Sequence, residues 1–258
     1  MAQRHHAELK KEMPEVDAFV GTGDYHRILE VVAPDGFDAV TLPTYVQGPE
    51  PRVNTLTPWS AYVKILEGCP QRCTFCIIPR LRGDLMSRPL SVIVEEAAAL
   101  AAVGVKELNL VGQDSNSWGR DLGGAERLPD LLEALDSVEG IRWLRLLYSY
   151  PAKFDDRLID TMASLQKVVP YVDMPLQHIS DPILKAMRRG VSRDRTERLL
   201  VKLRDRIPDL AVRTGFIVGF PGETEAQFEE LCGFVEEQRF DNVGVFTFSP
   251  QDETPAAH

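Results

Sequence analysis

AYVKILEGCPQRCTFCIIPRLRG, residues 61–83, joins an apolar run to a loop that holds three of the chain's four cysteines. AYVKIL (61–66) reads as a strand, and Gly68, Pro70 and Gln71 place Cys69 and Cys73 in a loop. The same order of strand then helix repeats downstream. SVIVEEAAALAAVG puts Ile93, Ala97, Leu100 and Ala101 on one helical face, with Gly104 at the C-cap. Strands are read at ELNLVG (107–112), WLRLLYS (143–149), YVDMPL (171–176), AVRTGFIVG (211–219) and NVGVFTFS (242–249). Helices are read at LPDLLEALDSV (128–138), DDRLIDTMASL (155–165), TERLLVKLRDR (196–206) and TEAQFEELCGFVEEQ (224–238), the last with Thr224 and Gln227 as a capping box. One more helix is read from Ser180, its cap, to Arg189, closed by Gly190. Repeated βα units imply a parallel sheet. Six units over ~200 residues fall short of the ~250 of a full eight-unit barrel, so the expected fold is α/β, a partial (β/α)6 TIM-like barrel. A doubly wound open sheet is the alternative. Both place chemistry at the C-terminal strand ends, where the cysteine loop lies.

Upstream, residues 3–13 read as a charged helix and Val16 to Val20 as a short strand. Residues 33–58 carry Pro34, Gly36, Pro43, Gly48, Pro49, Pro51 and Pro58 and read as a linker. The expected domains are therefore 1–58 and 59–258.

The chain has 258 residues, 29 Lys and Arg against 39 Asp and Glu, and a net charge of -10. That sign disfavours broad, unspecific binding to nucleic acid or anionic membrane and leaves room for a small basic site. No apolar run approaches the ~20 residues that cross a bilayer. The N-terminal MAQRHHAELKKEMPEVD lacks the apolar core of a secretory signal, so a cytoplasmic location is expected. Cytosolic thiols stay reduced, and clustered cysteines there point to metal or catalysis.

Thiolates suit zinc, copper(I) and iron–sulfur clusters. A structural zinc site closes with four ligands. Cys69, Cys73 and Cys76 leave a position open. A 4Fe-4S cluster held by three thiolates keeps one iron free for a small molecule. The alternatives are a zinc site completed by a remote histidine, three unrelated core thiols, or a non-catalytic metal-binding interaction module. Cys232 shares a helical stripe with Phe228, Leu231 and Val235 and reads as core packing. GFIVGFPGET (215–224) is not a P-loop, since no Gly-Lys-Ser/Thr follows, but Gly219 and Gly222 allow close backbone approach to a ligand. VGQDSNSWG (111–119) and DMPLQHIS (173–180) are polar strand ends. Arg80, Arg82 and Arg88 read either as a solvated face or as a contact for an acidic partner.

The spacing C-x3-C-x2-C, with Phe75 before the third cysteine, resembles the signature of the radical S-adenosylmethionine (SAM) superfamily, whose fold is a partial barrel. The resemblance implies a 4Fe-4S cluster on Cys69, Cys73 and Cys76, with SAM on its open iron. It implies reductive cleavage of SAM to a 5′-deoxyadenosyl radical that abstracts a substrate hydrogen. By position it assigns Gly112, Gln113 and Asp114 to the SAM amino group, though the superfamily's Gly-Gly-Glu form is absent. Gln177, or His178, falls to the ribose, and Ile217 and Gly219 to the adenine side, with Phe75 beside the cluster.

CTFCIIPRLRGDLMSRP (73–89), RTGFIVGFPGETEAQF and VGVFTFSPQDETPAA are similar to the methylthiotransferases within that superfamily. QDSNSWG, LYSYP, MPLQHISDPILKAMRRG and FDNVGVFTFSPQDETPAA resemble the branch that modifies the β-carbon of an aspartate in a small-subunit ribosomal protein, rather than the branch acting on transfer-RNA adenosine. That resemblance implies a ribosomal-protein partner; with the acidic net charge and the lack of a membrane-length apolar run, no membrane and no nucleic-acid contact are expected for this segment. AQRHHAELKKEMPEVDAFVGTGDYHRI resembles only the end of the family's N-terminal α/β domain, which holds a second 4Fe-4S cluster. The expectation is a chain shortened at both ends, with that second cluster only in the full-length protein. Full methylthiotransferase activity is not expected of this segment.

Overall fold

A computed structural model describes residues 1–44, 52–55 and 57–257. Gly48, Pro49 and Pro51 of the expected linker lie outside those residues. The charged N-terminal segment forms α1 (Ala2–Glu12), and a short α2 (Ile28–Val31) follows. Val16 to Val20 does not form the expected strand. Only Val20 pairs, in a single parallel bridge to Ala39. The Asp38 carboxylate takes the Phe19 N–H at 2.9 Å, so a side chain satisfies backbone that a ladder would otherwise pair.

The barrel begins with β1 (Ser60–Lys64), β2 (Leu66–Glu67), α3 (Ile78–Arg82) and β3 (Met86–Ser87). There follow α4 (Leu90–Ala102), β4 (Glu107–Val111), α5 (Leu128–Asp136), β5 (Trp143–Leu146), α6 (Asp156–Ser164) and β6 (Tyr171–Asp173). Then come α7 (Asp181–Ala186), α8 (Arg193–Arg206), β7 (Ala211–Val218), α9 (Glu225–Gln238) and β8 (Asn242–Thr247). One parallel sheet runs β1-β4-β5, and a second runs β6-β7-β8. A parallel bridge from Leu144 to Val168 links them, and among the described residues β1 and β8 do not pair. The six long strands thus curve in chain order into an open partial barrel, as expected. The antiparallel β2–β3 pair, Leu66 with Ser87 and Glu67 with Met86, was not expected. Two-residue strands carry no alternation to read.

The period of two sorts each strand. In β7, Val212, Thr214 and Phe216 are buried toward the helices, while Arg213, Gly215 and Ile217 line the barrel interior. Ile93 and Leu100 of α4, Leu131 and Leu135 of α5, Leu200 and Leu203 of α8 and Phe234 of α9 complete the core. Burying each such side chain contributes roughly 1.5–3 kcal/mol. Helix starts follow local chemistry. Asp155 accepts the Leu158 N–H at 2.9 Å, and Thr224 and Gln227 form the expected capping box on α9.

Two helix details differ from the sequence reading. First, α7 ends at Ala186, and the left-handed residue behind it is Arg188 (φ 54°), not Gly190. The Arg189 N–H reaches back to Leu184 O at 2.8 Å, which closes the helix before Gly190 is reached. Ser180 stands at the cap but makes no side-chain capping bond. Second, Cys232 is exposed. The inward face of α9 carries Leu231 and Phe234, and position 232 lies a hundred degrees round from 231.

Candidate functional site

The cysteine loop is held from three sides. Gly68 sits at φ +74°, and a Cβ there would lie 2.0 Å from Asp84 O, so the turn into Cys69 requires glycine. The Thr74 hydroxyl donates to Ala186 O at 2.9 Å and the Thr74 N–H to Met187 O at 3.1 Å, fixing the loop to the end of α7. From the C-terminal tail, the Ala256 N–H donates to Thr74 O at 2.9 Å.

Cys69, Cys73 and Cys76 line one cavity of about 520 Å³. Phe75, Gly112, Gln113, Asp114 and Gln177 line it too, so these expected residues share one chamber. Gly112 is a point of close approach: a Cβ there would meet Leu66 Cγ at 2.5 Å. Ile217 lines an adjoining space of about 350 Å³ that shares Phe75, Tyr148, Pro175 and Gln177 with the first. Gly219 lines neither and belongs to the turn after β7. His178 also turns away. Its Nδ1 accepts the Ser180 N–H at 3.0 Å, so Nε2 carries the proton and donates to Glu223 Oε1 at 3.1 Å. The basic residues are spent within the chain: Arg80 pairs with Glu253, Arg82 with Glu67, and fully buried Arg88 with Glu96 at 2.6 Å.

Burial pushes the Cys69 thiol up to about 12; the backbone N–H of Gln71 opposes this, and Asp114, Cys76 and Cys73 add to it. Cys76 is also pushed up by burial, with the nearby Arg189 charge pulling the other way. Cys69 and Cys76 thus stay protonated unless a bound cation takes the place of their protons. Among the described residues, no three His, Cys, Asp or Glu side chains converge on a point that a single metal ion would share. Thiols ranged around a chamber suit a multi-metal cluster, in which each holds a different metal atom, better than a closed zinc cage.

The chamber wall also carries polar atoms prepared for a ligand. Gln113 Oε1, Asp114 Oδ1, Ser149 Oγ and Arg189 Nε are buried without a hydrogen-bond partner among the described residues. Each such atom costs about 1–3 kcal/mol when nothing pairs with it. Asp114 is positioned through its other oxygen, which accepts Gln71 Nε2 at 3.0 Å and Ser117 Oγ at 2.6 Å. Gln113 is positioned by donating to Glu67 Oε1 at 3.3 Å. Ser149 and Arg189 are not among the residues expected from the sequence. The basic doublet before Gly190 was a signal for Arg189, but only the left-handed turn at Arg188 directs it inward.

A protein from Anaeromyxobacter sp. (strain Fw109-5) described as ribosomal protein uS12 methylthiotransferase RimO is 52% identical over 264 residues, covering 100% of this chain and 55% of the relative. One from Geobacter sulfurreducens with the same description is 47% identical over 263 residues, covering 100% of this chain and 59% of the relative. The chain thus spans little more than half the length of these relatives. In shape, the barrel is similar to the radical S-adenosylmethionine methyltransferase TsrM from Kitasatospora setae, solved with cobalamin and a [4Fe-4S] cluster bound. That match has a TM-score of 0.64 and 22% identity, covering 76% of this chain and 38% of the other. The family model of the radical SAM superfamily matches residues 63–235. On that match, the chain belongs to the radical SAM superfamily.

Proposed function

We propose that this chain is the radical-generating part of a methylthiotransferase that acts on the β-carbon of an aspartate in the small-subunit ribosomal protein uS12. The observation that carries this reading is the single chamber in which Cys69, Cys73 and Cys76 face the unpartnered atoms of Gln113, Asp114 and Ser149. Cys69, Cys73 and Cys76 would hold a 4Fe-4S cluster, and Gln113 and Asp114 would orient SAM. When bound, the pair supplies a one-electron cleavage of SAM and a carbon radical able to take hydrogen from an unactivated carbon. The chain's own work is to bind, orient and exclude water. Phe75 and Gln177 stand where the two spaces meet, so a substrate in the smaller space would face SAM in the larger. The names carried by the relatives support uS12 as the substrate. Residues 1–58 are proposed as the end of a separate N-terminal α/β domain, and residues 59–258 as the radical domain. The second 4Fe-4S cluster belongs, on this reading, to the full-length protein.

Anaerobic reconstitution should give about four irons per chain. Adding SAM and dithionite should then release 5′-deoxyadenosine, and a Cys69→Ala, Cys73→Ala, Cys76→Ala variant should do neither. Tight zinc with no 5′-deoxyadenosine would favour a non-catalytic metal module instead. Offered both substrates, the full-length enzyme should modify uS12; methylthio-adenosine in transfer RNA without modified uS12 would overturn the substrate assignment.

A further inference from the structure

Among the described residues, Arg189 is the one residue of the chamber wall that brings a cation to a cysteine sulfur. Its Nη1 lies 3.6 Å from Cys73 Sγ. The guanidinium is clamped in place: its carbon sits 4.3 Å from the centroid of the Tyr150 ring, and Nη2 donates to Pro175 O at 2.7 Å. Tyr150 is itself fixed, since its hydroxyl accepts the Gly190 N–H at 2.8 Å. Inside the barrel, Arg213 pairs with Asp173 at 2.6 Å. No carboxylate among the described residues pairs with Arg189, so its charge is not neutralised where it meets the sulfur.

We propose that Arg189 is a positioning residue that raises the reduction potential of the cluster held by Cys69, Cys73 and Cys76. This rests on the reading of the site given above. In the one-electron step, an external low-potential donor gives one electron to the oxidised cluster, [4Fe-4S]2+, which becomes [4Fe-4S]+. No proton moves, because a guanidinium keeps its proton throughout. The cluster with its thiolates becomes more negative by one charge. A fixed cation at Cys73 Sγ stabilises that state more than the oxidised one, and does so more strongly in a water-poor wall than in bulk water. Hydrogen bonding to a ligand sulfur is one of the levers by which a protein tunes such clusters.

The test is an anaerobic redox titration of the reconstituted chain, following the reduced cluster by electron paramagnetic resonance, with iron content and melting temperature measured alongside. Arg189→Gln should lower the midpoint. At the wild-type midpoint, its reduced-to-oxidised ratio should fall about tenfold, which for one electron is about 59 mV. Arg189→Lys keeps the charge and should recover at least half of that shift, although it loses the stack on Tyr150. Tyr150→Leu, which unclamps the guanidinium without removing it, should move the midpoint in the same direction as Arg189→Gln. A brace with no electrostatic role would change melting temperature and leave the midpoint alone. Equal midpoints in every variant that loads four irons overturn the proposal. If Arg189→Gln loads no iron, Tyr150→Leu decides: an unchanged midpoint there overturns it as well. If the wild-type chain takes up no iron, the reading of the site fails first, and this proposal with it.

Discussion

His178 and Glu223 form a buried pair that ties the end of β6 to the turn after β7. The ring donates from Nε2 to Glu223 Oε1 at 3.1 Å, and Glu223 Oε2 accepts the Phe220 N–H at 3.0 Å. The side chains are 0% and 4% exposed. Each carboxylate oxygen therefore meets a donor. Glu223→Gln replaces one acceptor by a donor, and either orientation of the amide sets donor against donor, at His178 or at Phe220. Flipping the His178 tautomer only moves the conflict to the Ser180 N–H. The variant should lose about 1–3 kcal/mol. A urea midpoint equal to wild type would show that the pair does not hold this turn.

Arg88 and Glu96 pair at 2.6 Å in the core, and Arg88 also donates to Lys64 O at 2.7 Å. Arg88 is fully buried, so it faces neither solvent nor an acidic surface outside this chain. Arg88→Met keeps an unbranched apolar stem but removes the guanidinium and leaves Glu96, 7% exposed, with Arg52 as its remaining ion-pair partner at 3.0 Å. Breaking one side of a buried pair costs about 3–5 kcal/mol, so most of the variant should be insoluble or unfolded by circular dichroism at 37 °C. Wild-type thermal stability would contradict this.

Gly68→Ala places a methyl 2.0 Å from Asp84 O at a left-handed φ. The chain must shift at the residue before Cys69. The expected outcome is a reconstituted protein with well under half the wild-type iron, read by iron and sulfide analysis. Full iron content would mean that the loop absorbs the shift.

The Lys10 ammonium, then the Phe19 N–H, hold the Asp38 carboxyl at about 2, well below the usual range. The unfolded carboxyl titrates near about 3.9. A folded value below the unfolded one gives stability that is full above about pH 4 and disappears as the pH falls toward about 2. Asp38→Asn removes this one titration and leaves the other carboxylates alone. Between about pH 6 and pH 2.5, wild type should therefore lose more of its urea midpoint than the variant does. Parallel losses would show that Asp38 makes no such contribution.

The barrel was legible because each long strand after the first is preceded by a helix with its own apolar face. Position along the chain also fixed which strand ends carry the chamber. What was not legible depended on direction. Gln177 and His178 are neighbours in the segment after β6, and only Gln177 lines the chamber. The choice fell to Gln177, at φ 73°, because His178 found Glu223, 45 residues away. The reading of Cys232 failed for a related reason. An apolar stripe has a width, and Leu231 and Phe234 took the buried side of α9. Arg189 depended on the left-handed turn at Arg188, a residue type that rarely adopts it, and on the ring of Tyr150, which is distant in the chain.

Asp114 separates the fold from the site. Its Oδ2 holds the residue in place by accepting Gln71 Nε2 and Ser117 Oγ, while buried Oδ1 has no partner among the described residues. In Asp114→Asn the amide oxygen can take the Oδ2 position and keep both bonds. The amide nitrogen then stands where the unpartnered acceptor was. The fold should be kept, and the free protein should be no less stable, since a buried carboxylate with an unpaired oxygen is replaced by a neutral group. Binding of a cationic amine at that wall should suffer. A lost hydrogen bond to a charged group is worth about 1.5–3 kcal/mol, so SAM affinity should fall at least about tenfold. Titration calorimetry on the reconstituted, unreduced protein measures this without turnover. Unchanged affinity with unchanged stability would remove Asp114 from the proposed SAM site and leave its orphaned oxygen without a ligand.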